Sequence, residues 1–159
     1  DADDFEWLSK YNWCLHKNDK NEYARTTQWV KGGKGKQIST YMHRMILQAE
    51  DNVKVDHEDG DGLNNRRSNI RLCTTSQNLM NSRLREDNKS GYKGVVWHKV
   101  AKKWQARIKT DSGSIYLGLY DTPIKAATAY NLAARRYFGE FAKLNDIKEV
   151  KGFKEYCKP

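Results

Sequence analysis

No apolar run in this sequence approaches the roughly 18 residues needed to cross a bilayer, which argues against a membrane-spanning chain. None reads as a secretory hydrophobic segment either. The chain starts at Asp1 without a methionine, as expected of a processed or trimmed chain. The three cysteines, Cys14, Cys73 and Cys157, are odd in number, widely spaced and form no CxxC pair. That pattern argues against both a disulfide framework and a structural zinc site, and fits reduced thiols in the cytoplasm. Five Trp, nine Tyr and four Phe supply large groups to bury and argue against wholesale disorder. With 38% hydrophobic and 31% charged residues, the expected core is modest, and 159 residues suffice for one large domain or two small ones.

The formal charge of +9 is unevenly spread. Residues 1–82 carry 12 Lys and Arg against 12 Asp and Glu, whereas 83–159 carry 17 against 8. A neutral front half and a basic back half point to two modules, the second facing a polyanion. Charge alone does not separate nucleic acid from anionic lipid.

Along the front half, Asn12 to His16 and Tyr23 to Val30 are rich in aromatic and β-branched residues. With the KGGKGK turn (31–36) and QISTY after it, they predict a small β-meander. Lys31, Lys34 and Lys36 at its tip read first as a solvated turn and second as phosphate contacts. YMHRMILQAE (41–50) predicts a short helix, with Met42, Met45, Ile46 and Ala49 at helical spacing. Val53 to Val55 predict a strand ending at Asp56 and His57, and Ile70 and Leu72 alternate with Arg71 and Cys73 in another. Thr74, Thr75 and Ser76 are N-cap candidates for a helix through QNLMNSRLR.

RLREDNKSG (83–91) lacks apolar periodicity and reads as a linker. Three strand-like runs follow: 91–99, 103–110 and 114–121. In the middle one, Trp104, Ala106 and Ile108 alternate with Gln105, Arg107 and Lys109, giving a packed face and a basic face. Thr122 and Pro123 begin a helix and Gly139 ends it, with Ala127, Tyr130, Ala134 and Tyr137 on its expected inner stripe. The fold class expected overall is α+β: a β-meander with a ββα module, then a three-stranded antiparallel sheet on one helix.

The chemistry concentrates in VDHEDGDGLNNRRSNIRLCTTSQNLMN (55–81). At a strand end Asp56 and His57 alternate sides, so one can face a metal while the other faces substrate. A helix packing back over the hairpin would let Asp56 and Asn78 offer two oxygens to one hard cation. Mg²⁺ suits such a site, since it takes oxygen ligands and keeps several waters. A neutral imidazole at His57 is a good general base. Two blander readings remain at this point. GDGLNN is rich in turn formers and could be a plain surface loop. Its acids could also suggest a calcium loop, but the EF-hand pattern's bidentate Glu at its twelfth position is missing and no helix enters.

The segments VDH (55–57), GDGLNNRRSNIRL (60–72) and TTSQNLMN (74–81) resemble the HNH, or ββα-metal, nuclease family in its phage and intron-encoded homing branch. The resemblance implies Asp56 as a metal ligand, His57 as the general base, and Asn69 as a brace of the loop by hydrogen bonds. Asn78 would be a second metal ligand, standing where other branches have histidine. Two side-chain ligands imply Mg²⁺ (or Mn²⁺) and no structural zinc. His43, in the MHR triplet, matches a recurrent family position without a settled role. Asn64, Asn65 and Asn81 read as turn and cap residues, and Arg66, Arg67 and Arg71 as candidates for gripping the DNA backbone.

Residues 90–146 resemble the APETALA/ethylene-response-factor DNA-binding domain through SGYKGVVWHKVAKKWQARIK, IYLGLYDT and AATAYNLAARRYFGEFAKLN. That implies DNA contacts at Lys93, Arg107, Lys109 and Tyr116. Val96, His98 and Ser114 stand where the plant members often have arginine, so the plant target sequence does not transfer.

The expected protein is a site-directed, divalent-metal-dependent DNA endonuclease of the HNH homing type, acting on double-stranded DNA. The expected domains are 1–82 (nuclease, with its ββα core at about 53–82), 83–90 (linker), 91–147 (DNA binding) and 148–159 (tail). The rival is a transcription-factor-like DNA-binding protein whose nuclease module has decayed. No small-molecule cofactor is expected, and the oligomeric state is left open, a monomer included. The expected setting is the cytoplasm of a phage-infected bacterium.

Overall fold

Residues 1–18, 21–29 and 37–147 are described by a computed structural model, and the chain divides into two units, Asp1–Ser82 and Arg83–Pro159. The KGGKGK turn with Lys31, Lys34 and Lys36, the tail and Cys157 lie outside the described residues.

The first unit opens with a helix that the sequence pattern did not reveal, α1 (Ala2–Leu8). Asp3 and Asp4 in its first turn favour its start, since acids complement the helix dipole there. The meander follows as β1 (Cys14–Lys17), β2 (Glu22–Trp29) and β3 (Gln37–Tyr41), antiparallel in the order β1-β2-β3. The chain turns directly from Tyr41 into α2 (Met42–Ile46), shorter than the helical spacing through Ala49 suggests. Leu8, Ile46 and Ile70 are buried together, with Trp7, Trp13, Met42, Leu47 and Val55 packed around them.

β4 (Lys54–His57) and β5 (Ile70–Cys73) form an antiparallel hairpin, and α3 (Thr75–Met80) follows and packs on both strands. Thr74 caps α3 with a full capping box: its hydroxyl accepts from Gln77 N–H while the Gln77 side chain accepts from Thr74 N–H. The helix stops at Asn81, earlier than the expected run through Arg85. On β5 Ile70 and Cys73 are buried, while Leu72 is 49% exposed.

In the second unit β6 (Val95–His98), β7 (Lys103–Thr110) and β8 (Gly113–Tyr120) make an antiparallel sheet in that order. The helix α4 (Pro123–Phe138) lies against one face. Thr122 accepts a hydrogen bond from Lys125 N–H, Pro123 occupies the first turn, and Gly139 at φ 53 closes the helix. Val95 and Ala106 are buried against Ala126 and Ala127, and small side chains at these points let helix and sheet approach closely. The inner stripe differs at its end from expectation: Phe138 is buried and Tyr137 is 47% exposed.

Two asparagines clasp the unit shut. The buried Asn131 side chain exchanges bonds with the Asn145 backbone (2.8 and 2.9 Å), and the Asn145 side chain does the same with the Lys93 backbone (2.6 and 3.0 Å). Gly94, beside that clasp, has φ +76, and a Cβ there would overlap the Tyr130 ring and lie 2.7 Å from the Arg107 carbonyl. Gly94→Ala is therefore expected to cost about 2–4 kcal/mol, from left-handed backbone strain plus overpacking. Chemical denaturation of the second unit's tryptophan signal measures it, and an unshifted midpoint would contradict this packing.

Candidate active site

In the β4–β5 register Asp56 stands opposite Arg71, and His57 opposite Ile70. Side chains alternate along a strand, so Asp56 and Arg71 share one face of the hairpin and His57 points to the other. The strand end thus delivers two adjacent polar groups into different surroundings.

Asp56 is only 5% exposed, and its carboxylate is held from two sides. Oδ2 accepts from Arg71 Nε (3.0 Å) and Nη2 (2.9 Å) and from Asn81 Nδ2 (3.1 Å). Oδ1 accepts from Asn81 Nδ2 at 3.0 Å. The same amide also reaches the carbonyls of His57 (2.9 Å) and Glu58 (3.2 Å), where the strand becomes the loop.

His57 Nε2 lies 3.3 Å from Asn65 Oδ1. Asn65 Nδ2 donates to the Leu63 carbonyl (3.1 Å), which fixes the amide so that its oxygen faces the imidazole. An oxygen can only accept, so in the neutral ring Nε2 carries the proton and Nδ1 keeps its lone pair. The ring packs edge-on against His43 (centroids 4.9 Å apart) and near Tyr23 (5.9 Å). His43 in turn stacks on Tyr41 at 5.5 Å. Burial, with the charges of His57 and Arg44 adding, pushes His43 down to about 4, so it is neutral near pH 7. Its Nδ1 is buried with no hydrogen-bond partner among the described residues. Gly62 makes room for this cluster, because a Cβ there would collide with the Tyr23 ring and the Glu22 carbonyl.

The loop between the strands is organised by Asn69. Its Nδ2 donates to Asp59 Oδ1 (3.0 Å) and to the Asn64 carbonyl (2.8 Å), while its Oδ1 accepts from Asp59 N–H (3.1 Å). Burial raises the Asp59 pKa, but hydrogen bonds from Asp61 N–H, Asn64 and Asn69 outweigh it and leave Asp59 below the usual carboxylate value. Asp61 caps the turn by accepting from Leu63 N–H (3.0 Å). These two acids are spent on loop structure, and a strand, not a helix, leads into the loop.

The remaining site residues divide clearly. Asn78 is exposed on α3, one turn before the buried Asn81. Arg66 is exposed, but the Arg67 guanidinium grips the buried Asp4 with two bonds (2.9 and 2.7 Å), anchoring α1 and holding the Asp4 carboxyl below its ordinary range. Arg71 is committed to Asp56. In the second unit Arg107 pairs with Tyr116 and Lys109 with Ser114 across β7 and β8, on the face away from α4. Arg107 and Lys109 are exposed there, as is Tyr116 at 59%. Lys93 lies before β6, half-buried, and burial with the Lys143 charge lowers it to about 8.

Sequence reasoning missed Asn65, Asn81 and the Arg71–Asp56 pair. The signal for Asn81 was present in QNLMN, where two asparagines three apart fall on one side of a helix. Arg71 could have been placed opposite Asp56 only by knowing the hairpin register.

The sequence pattern of a family described as HNH endonuclease matches residues 40–80, which hold β4, the loop, β5 and α3. An uncharacterised HNH endonuclease of Acanthamoeba polyphaga mimivirus is 33% identical over 144 residues, covering 88% of this chain and 70% of its own length. Protein 3.8 of Escherichia phage T7 is 29% identical over 89 residues, 56% of this chain and 73% of its own. APETALA2-like protein 2 of Oryza sativa is 45% identical over 58 residues, 35% of this chain but only 13% of the plant protein. With residues 40–80 fitting the family pattern and a viral relative matched along most of both chains, this chain belongs to the HNH endonucleases.

Proposed function

We propose that this protein is a site-directed DNA endonuclease of the homing type, which uses a divalent cation to hydrolyse phosphodiester bonds in duplex DNA. The observation that carries this reading is the pairing, at one strand end, of a fixed carboxylate (Asp56) with an imidazole whose Nδ1 lone pair is free to accept a proton (His57). His57 takes a proton from the attacking water through Nδ1. Asn69 keeps the loop closed under it.

The donor set fits a hard cation. Asp56 offers a carboxylate oxygen, and Asn78 offers an exposed amide oxygen on the helix that packs on the same hairpin. Oxygen donors of this kind suit Mg²⁺ or Mn²⁺, whose shell water and phosphate oxygens would complete. Such an ion supplies charge stabilisation at the phosphate. Supercoiled DNA incubated with Mg²⁺ or Mn²⁺, and in parallel with chelator, tests the reading. Metal-dependent relaxation or linearisation is expected, and its absence across a randomised target library would favour the decayed-nuclease alternative.

The unit 1–82 would carry the chemistry and the domain 91–147, after the 83–90 linker, would anchor the enzyme. Arg107, Lys109 and Tyr116 on the exposed sheet face support this, as do the net charge and the likeness to plant DNA-binding proteins. Replacing Arg107 and Lys109 by alanine is expected to reduce the slope of log K against log[salt] by about 1.8, at roughly 0.9 per lost phosphate contact. Filter binding between 50 and 200 mM salt reads it, and an unchanged slope would remove this face from the interface. No described helix is long and apolar enough to cross a membrane. The viral relatives support a setting inside an infected cell.

A further inference from the structure

We propose that Asn81, braced by Arg71, is the positioning residue of this site: it aims Oδ1 of Asp56 as the oxygen that ligates the cation. The inference rests on the reading of Asp56 as a metal ligand and deepens it.

The two oxygens of Asp56 are unequally used. A carboxylate has about four lone-pair sites over its two oxygens. Oδ2 accepts two N–H bonds from Arg71, which fill its lone-pair sites, and lies 3.1 Å from the Asn81 Nδ2 that it shares with Oδ1. Among the described residues Oδ1 is offered that shared amide and retains acceptor capacity. Arg71 therefore does not block the carboxylate as a ligand. It neutralises the cost of burying Asp56 and leaves one defined oxygen for a cation.

Asn81 sets where that oxygen stands. It is 7% exposed, and its single NH₂ lies within reach of both carboxylate oxygens and of the His57 and Glu58 carbonyls. One amide thus fixes the carboxylate relative to the backbone that carries the general base. It also ends α3, so the exposed Asn78 and the buried Asn81 stand one turn apart along the same side of that short helix. A carboxylate held in this way enters coordination already oriented, and partners behind a ligand commonly contribute 10–100-fold in metal affinity.

The experiment uses the full chain and reads Mn²⁺ binding directly, from the electron paramagnetic resonance signal of the free ion. Melting temperature, duplex affinity without metal, kcat and KM are measured alongside. Asn81→Ala is expected to weaken Mn²⁺ binding about 10–100-fold and to lower kcat by a similar factor, with KM for duplex DNA within about twofold. Should the alanine variant not fold, Asn81→Ser and Arg71→Lys, which each keep a donor, are expected to give smaller losses in the same order of readouts. A folded Asn81→Ala or Asn81→Ser with wild-type Mn²⁺ affinity, whatever its melting temperature, reduces Asn81 to a fold residue and overturns the proposal. Asp56→Asn is the control for the underlying reading: unchanged Mn²⁺ affinity there would place the cation elsewhere and overturn both.

Discussion

Replacing His57 by alanine is expected to slow DNA cleavage by about 10²–10⁴-fold, the range a positioned general base contributes. The neighbouring geometry explains why nothing replaces it. Asn65 holds Nε2–H of the neutral ring, which leaves Nδ1 as the proposed basic nitrogen, and the loss of the ring removes that lone pair. His43 is a neutral imidazole 4.9 Å away, but it is buried and stacked on Tyr41 behind the His57 ring. Because His57 is itself buried, the alanine variant also leaves a cavity, and some loss of stability is expected. His57→Gln fills more of that space and still lacks the base, so both variants should be equally inactive while differing in melting temperature. Duplex binding is expected to survive in each. A plasmid-nicking rate within about tenfold of wild type in either variant would remove His57 from the chemistry, since that is below the contribution of a general base.

The sequence carried the backbone plan of this region and little of its side-chain wiring. Short strands around a turn-rich loop, a Thr–Gln capping box, and Pro–Gly punctuation of α4 are local signals, and they set the β4–β5 hairpin, α3 and α4. Helix α1 escaped because it buries only Asp4 and Leu8, leaving no apolar stripe to detect. The Arg67–Asp4 bond that anchors it joins residues 63 apart. Tyr137 was placed inward by stepping three from Ala134; the helix instead buries Phe138, four on, which the 3.6-residue period allows equally. The same ambiguity governs α3. Asn78 and Asn81 are one turn apart, and only the packing of that turn on the hairpin decides that Asn81 meets Asp56. Long-range register, not composition, separates the arginines: Arg66 is exposed, while Arg67 and Arg71 hold buried acids.

That exposure makes Asn78→Ala the cleaner test of the cation site. Asn78 lies in a six-residue helix whose side chains are not buried, and alanine is a better helix former than asparagine. The substitution should leave the melting temperature unchanged or slightly raised, because exposed positions away from caps rarely move stability by more than about 0.5 kcal/mol. Any change in cleavage then reports function rather than folding. If the amide oxygen ligates the cation, its loss should slow cleavage by about 10²-fold or more, at least the upper effect of a residue one bond removed from a metal. Partial recovery at high Mn²⁺ is also expected, since excess ion can refill a weakened site by mass action. Metal-free duplex affinity should stay at wild type, because the phosphate contacts assigned to Arg107 and Lys109 lie on the other unit. A fully active Asn78→Ala would remove Asn78 from the proposed site and leave Asp56 as its side-chain ligand, with water and DNA phosphate oxygens completing the shell.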